Sequence, residues 1–189
     1  RFFSLELLIL LLFIIFQHNS LEGQPATFSI QGDNIDSNSG SIKTLREVKA
    51  IDNFSTEITY TFSGYSIDDI TVENETYQIL RIDGFGMSLN TGDPTLPVRT
   101  EKIAMPSESE PVISIVSSEY LELDDLRIFP AQEMSTDDTP KKLGFKINVQ
   151  AYSSDAFSPE KLATLANIQI YRNVPMAYIQ IHPVQYNPS

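Results

Sequence analysis

A mainly β domain, an antiparallel β-sandwich or jelly-roll-like fold with one short helix, is what this 189-residue sequence predicts. Three observations carry that prediction. Apolar residues recur with a period of two in several short runs, which places one face of each run in a core and the other in solvent. The runs are rich in β-branched and aromatic residues, which suit a pleated, half-buried surface. Clusters of Gly, Pro, Asn and Asp separate them at intervals of about 8–15 residues. Nothing after residue 24 sustains a helical period.

Taken in order, the chain begins with an unbroken apolar run, residues 7–16 (Leu-Leu-Ile-Leu-Leu-Leu-Phe-Ile-Ile-Phe), behind Arg1 and ahead of Gln17-His18-Asn19-Ser20. This is the layout of a secretory signal peptide, and it is shorter than the ~20 residues a membrane-crossing helix needs. Residues 1–23 are expected to be that signal, cut after Gly23 or, alternatively, after Ser20. The mature chain is then expected to be exported, secreted or at the cell surface, and not membrane-embedded. With no cysteine to carry a lipid, a bacterial lipoprotein is excluded.

Residues 24–50 are polar and glycine-rich and read as a leader or loop. Within them Asp36-Ser37-Asn38-Ser39-Gly40 superficially resembles a calcium loop, but it lacks the closing glutamate and flanking helices and reads as a turn. The domain proper is expected over 51–189. Ile58, Tyr60 and Phe62 alternate within 56–63, Tyr77 and Ile79 within 76–80, and 112–116 is a short apolar run. The longest alternation, Leu143, Phe145, Ile147, Val149 and Ala151, predicts a strand over 142–152, and further strands are expected at 168–171 and 176–181. The one helix is expected at 158–165, with Ser158 as N-cap, Pro159 at the first helical position and Glu160 in the first turn.

Composition narrows the chemistry. Lys and Arg total 13 against 25 Asp and Glu, a net charge of −12, which argues against binding phosphate backbones or anionic lipid. Residues 101–140 hold ten acidic residues and two basic ones, Lys102 and Arg127. That concentration reads as a solvated face that keeps strands from pairing with other chains, or as a surface complementary to a basic partner or to a protein-bound metal. Cysteine is absent, so the chain has no disulfide, no thiolate metal site and no cysteine nucleophile. The two histidines are His18, in the signal segment, and His182, which leaves a Ser-His-Asp triad or histidine-rich zinc site little to draw on. No metal and no cofactor are expected, and the chain is read as non-catalytic.

Three local patterns are more specific than alternation. Gly92-Asp93-Pro94-Thr95-Leu96-Pro97-Val98, followed by Ile103-Ala104-Met105-Pro106, sets a bend ahead of a strand, because each proline fixes its own φ and pushes its predecessor toward extended structure. Ile115-Val116-Ser117-Ser118-Glu119-Tyr120 reaches Ile128-Phe129-Pro130-Ala131 through an acidic turn. Arg172-Asn173-Val174-Pro175-Met176-Ala177-Tyr178 leads into Ile181-His182-Pro183-Val184-Gln185-Tyr186-Asn187-Pro188, a strand followed by a proline-punctuated turn. In this order and spacing the three resemble the N-terminal propeptide of the gingipain-type cysteine peptidases, secreted bacterial endopeptidases, over about residues 84–189. Pro183-Val184-Gln185-Tyr186-Asn187-Pro188 is the most specific piece, supported by Phe157-Ser158-Pro159 and residues 165–172.

That resemblance implies the pro-region of an exported zymogen, with further strands and then the catalytic domain after Ser189. Its partner is the downstream or cognate cysteine peptidase domain, which it binds and inhibits until maturation, and it binds no nucleic acid. By the same resemblance the loop over 132–142 is the inhibitory plug: Met134, Ser135, Thr136, Asp137, Asp138, Lys141 and Lys142. In relatives that cut after basic residues, a basic side chain of this loop fills the specificity pocket. Here the nearest position is acidic, so Lys141 or Lys142 substitutes only in a different register and is otherwise the solvated start of a strand. His182 reads as a packed or surface residue, and Tyr178 and Tyr186 as sheet-edge packing. The competing function is a secreted adhesion or carbohydrate-binding β-sandwich, which shares the export signal, the acidity and the strands.

Overall fold

In a computed structural model of the protein, residues 43–106, 111–133 and 144–189 are described, together with the backbone course of 4–16. The chain forms eleven strands among these residues: β1 (Ser4–Phe16), β2 (Thr44–Ala50), β3 (Ser55–Phe62), β4 (Ser66–Val72), β5 (Glu75–Arg81), β6 (Gly86–Met87), β7 (Pro97–Ala104), β8 (Pro111–Asp124), β9 (Ala163–Tyr171), β10 (Val174–Ile181) and β11 (Val184–Asn187). Pairing between them is antiparallel throughout. One sheet runs β11-β1-β3-β2 with β8 on the free side of β1; a second runs β6-β7-β10-β9; β4 and β5 form a hairpin. The mainly β prediction holds.

The hydrophobic cluster shared by these sheets shows why the alternating runs became strands. On β3 Ile58, Tyr60 and Phe62 are all buried, and on β10 Ala177, Ile179 and Ile181 are buried with polar or half-exposed neighbours between them. Each such strand turns one face to Val184 and Tyr186 of β11 and to Leu96, Ile103 and Met105 around β7. Burial of this apolar area drives the fold at roughly 25 cal/mol per Å². On β5 the strand is present but the face differs: Tyr77 and Leu80 are buried and Ile79 is not. Beside these residues Gln78 forms an isolated parallel bridge to Ile128.

Several expectations are corrected. The longest alternation does not make a strand: residues 144–150 are irregular and lead into a 3-10 turn at Ala151–Ser153. Their backbone partners are side chains and a distant loop, with Lys146 N–H donating to Gln132 Oε1 (2.9 Å), Asn148 N–H to Gly92 O (2.9 Å) and Gln150 N–H to Asn148 Oδ1 (3.1 Å). Val149 accordingly stands 74% exposed. The helix expected at 158–165 is also absent. Ser158 exchanges both backbone hydrogen bonds with Tyr186 (3.0 and 2.9 Å), and Gln185 Nε2 donates to Pro159 O (2.7 Å), so the groups a helix start would need are taken by β11. The end of the polar leader, Thr44–Ala50, is a strand, because β3 offers it a full register from Phe62 to Thr56. β1 coincides with the apolar run read as a signal peptide, and its strand course leaves that expectation as it stands. The rest of the leader, including the turn at 36–40, lies outside the described residues.

Two hairpins close on two-residue turns with positive φ at both central residues, Glu73 and Asn74 between β4 and β5, and Arg172 and Asn173 between β9 and β10. That backbone matches the right-handed twist of the flanking strands.

Candidate functional site

The residues expected to form the inhibitory loop, Met134, Ser135, Thr136, Asp137, Asp138, Lys141 and Lys142, lie outside the described residues. What the structure describes is the stem that carries them. Ile128-Phe129-Pro130-Ala131 enters the stem alongside β5: Gln78 N–H donates to Arg127 O and Phe129 N–H to Gln78 O, both at 2.8 Å. Gln132 then spans the two sides. Its Nε2 donates to Lys146 O (2.8 Å) and to Pro130 O (3.0 Å), while its Oε1 accepts the Lys146 N–H. Lys146 Nζ pairs with Glu133 directly above. One side chain thus takes the place of a ladder rung and holds the two ends of the loop together.

Beneath Gln132 lies the glycine-proline bend singled out in the sequence. Gly92 N–H donates to Ala131 O (2.7 Å), Ala131 N–H to Asp93 O (2.8 Å), and Asn148 N–H to Gly92 O. Gly92 has φ +89°, and a Cβ there would sit 2.9 Å from Asn148 N, so the position needs glycine twice over. The Asn148 amide also donates to Asp93 Oδ1 (2.7 Å). Phe145 closes the stem from the other side, packed edge-on to Tyr77 and tilted against Phe129. Tyr152 O–H donates to Ile128 O (2.5 Å), and burial holds its phenol well above the ordinary value. The bend, the second motif and the misread alternation are therefore one structural unit, which flanks residues 134–143 in the chain.

A cleft of about 330 Å³ opens beside this unit, lined among others by Asn90, Asp93, Gln150, His182 and Tyr186. His182 is half-buried, its backbone N–H donates to Leu162 O (2.7 Å), and burial pushes its imidazole below the usual value. Tyr186 is fully buried, with its phenol raised by burial to about 12, which makes it a core residue and not an exposed sugar platform. Tyr178 is half-buried and carries the Lys102 ammonium 5.5 Å above its ring. No group of three or more metal-ligating side chains occurs among the described residues.

The acidic stretch also resolves into two kinds of residue. Glu101 is 5% exposed and is not part of a solvated face. Arg46 grips it with two hydrogen bonds (2.9 and 2.6 Å), Arg99 Nε donates to the same carboxylate (2.8 Å), and Tyr60 O–H donates to it from the core. Burial alone would raise this carboxyl; the Arg46 and Tyr60 hydrogen bonds and the two guanidinium charges hold it below the usual carboxylate range. Glu119, Glu122 and Asp124 on β8, by contrast, are all exposed, as the sequence predicts. Sequence reading missed Gln132, Lys146, Asn148 and Tyr152 as stem residues; no local pattern marks them, because their partners lie 14, 55 and 24 residues away in the chain.

A family model described as Propeptide_C25 matches residues 43–189. The chain is 33% identical over 98 residues to Gingipain R1 of Porphyromonas gingivalis, a match covering 51% of this chain and 10% of that protein, so the chain spans a small part of its curated relatives. Among solved structures it is similar to one described as zymogenic latency of gingipain K from the same organism, with TM-score 0.61, 23% identity, and 80% of this chain and 85% of that chain covered. It is also similar to the complex of the P. gingivalis RgpB pro- and mature domains, with TM-score 0.59, 24% identity, and 66% and 65% covered. No described helix is long and apolar enough to cross a membrane.

Proposed function

The chain belongs to the Propeptide_C25 family, and from that premise we propose that it is the pro-region of a secreted gingipain-type cysteine endopeptidase precursor, binding the catalytic domain and holding it inactive until maturation. The observation that carries this reading is the extent of the family match, which takes in every strand from β2 to β11 and the whole loop stem. An endopeptidase is a hazard to the cell that makes it, so a domain that precedes it has to occupy its cleft as well as bind it. A broad β surface supplies contact area and one protruding loop supplies occlusion. The stem built by Gln132, Lys146 and the Gly92 bend suits the second task, because it fixes both ends of residues 134–143 on a rigid support and lowers the entropy lost on insertion.

In this reading residues 134–142 enter the peptidase cleft, with Lys141 or Lys142 as the basic side chain where the target prefers one. Residues 1–23 direct export and are removed, and the domain acts outside the cytoplasm. The test is direct: purified protein is added to its cognate catalytic domain and substrate turnover is followed. Slowing at micromolar concentration is the expected result, and no slowing overturns the inhibitory role. Alanine at Lys141 and Lys142 weakens inhibition if these side chains fill the pocket; unchanged inhibition removes them from the site.

A further inference from the structure

The cleft of about 330 Å³ beside the loop stem takes its walls from separate stretches of chain: the Gly92 bend, the 3-10 turn, residues 158–159 and the end of β10 with β11. Six polar side chains converge on it: Asn90, Asp93, Gln150, Ser154, Ser158 and His182. In the stem such groups are paired with one another. Here, among the described residues, the side chains of Asn90, Gln150, Ser154, Ser158 and His182 enter no hydrogen bond, and Asp93 engages only its Oδ1, with the Asn148 amide. Their backbones are nonetheless fixed. Gln150 O accepts from Ser153 N–H (3.3 Å), Ser158 exchanges both backbone bonds with Tyr186, and His182 N–H donates to Leu162 O (2.7 Å). Pro94, Leu96 and Pro159 form an apolar wall between the polar groups. Uncommitted donors and acceptors on a rigid frame, with apolar surface beside them, have the make-up of a small-ligand site.

We propose that this cleft binds one neutral sugar unit. Three properties choose that class of ligand. The first is size: the volume lies near the lower end of the range of about 300–1,000 Å³ for small-ligand sites, which suits a single ring. The second is charge. Neither Lys nor Arg lines the cleft, so an anion finds no counter-ion, and Asp93 is its one carboxylate, too few for a metal ion and half engaged by Asn148. The third is hydrogen-bonding type. A sugar hydroxyl both donates and accepts, and the amides of Asn90 and Gln150 and the hydroxyls of Ser154 and Ser158 do the same. Burial lowers the pKa of His182, so at neutral pH its imidazole also offers one donor and one acceptor. The second oxygen of Asp93 is left to accept from a hydroxyl, and the apolar wall suits the C–H face of the ring. Recognition of this kind uses a polar cleft and not an exposed aromatic platform, in keeping with the burial of Tyr186. The site is separate from residues 134–142 and does not rest on the pro-region reading.

The test is an NMR titration of the full protein, following backbone amide shifts as glucose, galactose, mannose or N-acetylglucosamine is added to about 50 mM. Glucuronate and glucosamine serve as charged counterparts, and cellobiose as a two-ring ligand. At least one neutral sugar is expected to give saturable shifts at Gln150, Ala151 and His182, with Kd of about 1–10 mM. The double variant N90A with Q150A is expected to bind about tenfold more weakly. Both side chains are exposed and unpaired, so its Tm should stay within about 2 °C of wild type. Should the double variant lose its fold, the two single variants decide, each with binding weakened about threefold. A free sugar and the end of a glycan chain share this chemistry: tighter binding of cellobiose than of glucose assigns the cleft to chain ends, the reverse to single sugars. No saturable shift with any neutral sugar, binding unchanged in the variants, or tighter binding of glucuronate or glucosamine overturns the proposal. The titration contains no peptidase, so its failure leaves the pro-region reading standing, and failure of the turnover assay leaves the sugar site standing.

Discussion

Gly92 and Asn148 meet backbone to backbone: the Asn148 N–H donates to Gly92 O, and a Cβ on Gly92 would lie 2.9 Å from that same nitrogen. With φ at +89°, any L residue at 92 is strained before the contact is counted. Gly92→Ala is therefore expected to destabilise the protein by about 2 kcal/mol and lower Tm by roughly 6 °C. Calorimetry on the two proteins checks it; a Tm within a degree of wild type means the stem tolerates a displaced Asn148.

Gln132 acts differently, since it lies at the half-buried top of the stem and holds a loop end and not the core. Gln132→Ala removes hydrogen bonds to both backbone groups of Lys146. The expected loss of stability is about 1 kcal/mol, whereas exchange of the Lys146 amide should accelerate at least tenfold and inhibition of the peptidase should weaken. If inhibition and Lys146 exchange are both unchanged, the glutamine is not what gathers the loop.

Glu101 couples β2 to β7, because Arg46 reaches it from β2 and Arg99 from its own strand, with Tyr60 of β3 donating from below. Losing one member of a buried ion pair costs about 3–5 kcal/mol; Arg46 and Arg99 keep about a third of their side chains in water, which lowers the expected cost of Glu101→Ala to about 2–3 kcal/mol. Tyr60→Phe should cost about 1–2 kcal/mol. Urea melts of the single and double variants test the coupling: additive losses would show that the tyrosine and the carboxylate do not act together.

The same carboxylate sets a pH dependence. Its folded pKa lies below the ordinary value, so the unfolded chain takes up the proton first as pH falls. The stabilisation is fully present above the unfolded carboxyl's pKa of about 4.3 and drains away as pH drops below it through the folded value. Wild type should lose more stability than Glu101→Gln between pH 6 and pH 3. Equal losses would assign the acid sensitivity to other groups.

Ile58, Tyr60 and Phe62 show what was legible in the sequence: where one face is buried and the partners are strands, period-two alternation and burial coincide. Phe145, Ile147 and Val149 show where that inference fails. The same alternation occurs, but only Phe145 finds a core, against Tyr77 and Phe129, and the backbone is satisfied by Gln132 and Asn148, side chains whose reach depends on tertiary placement. Ser158 failed for a related reason, as its capping residue type is right for a helix start but Tyr186, distant in sequence, claims its backbone. The Gly92 bend was recognised as a bend, yet its role as the floor of the loop stem required knowing that Asn148 returns to it. Local pattern found the strands; the site is made of contacts between segments far apart in the chain.

The β4–β5 hairpin offers a change that should help the fold without touching the site. Its turn places Glu73 at φ 52° and Asn74 at φ 68°. The left-handed region suits Asn and Gly, and for other L residues costs roughly 1 kcal/mol. Glu73 is exposed and makes no hydrogen bond among those of the described residues, so nothing in the fold compensates that strain. Replacing the pair by Asn-Gly, as E73N with N74G, keeps both positive φ values and relieves the strain at 73, while the glycine adds some entropy to the unfolded chain. A net gain of about 0.5–1 kcal/mol, or roughly 2–3 °C in Tm, is expected, with the affinity for the peptidase domain unchanged because the turn is remote in sequence from residues 132–146. A lower Tm would mean that Glu73 stabilises the turn in a way its backbone geometry does not account for.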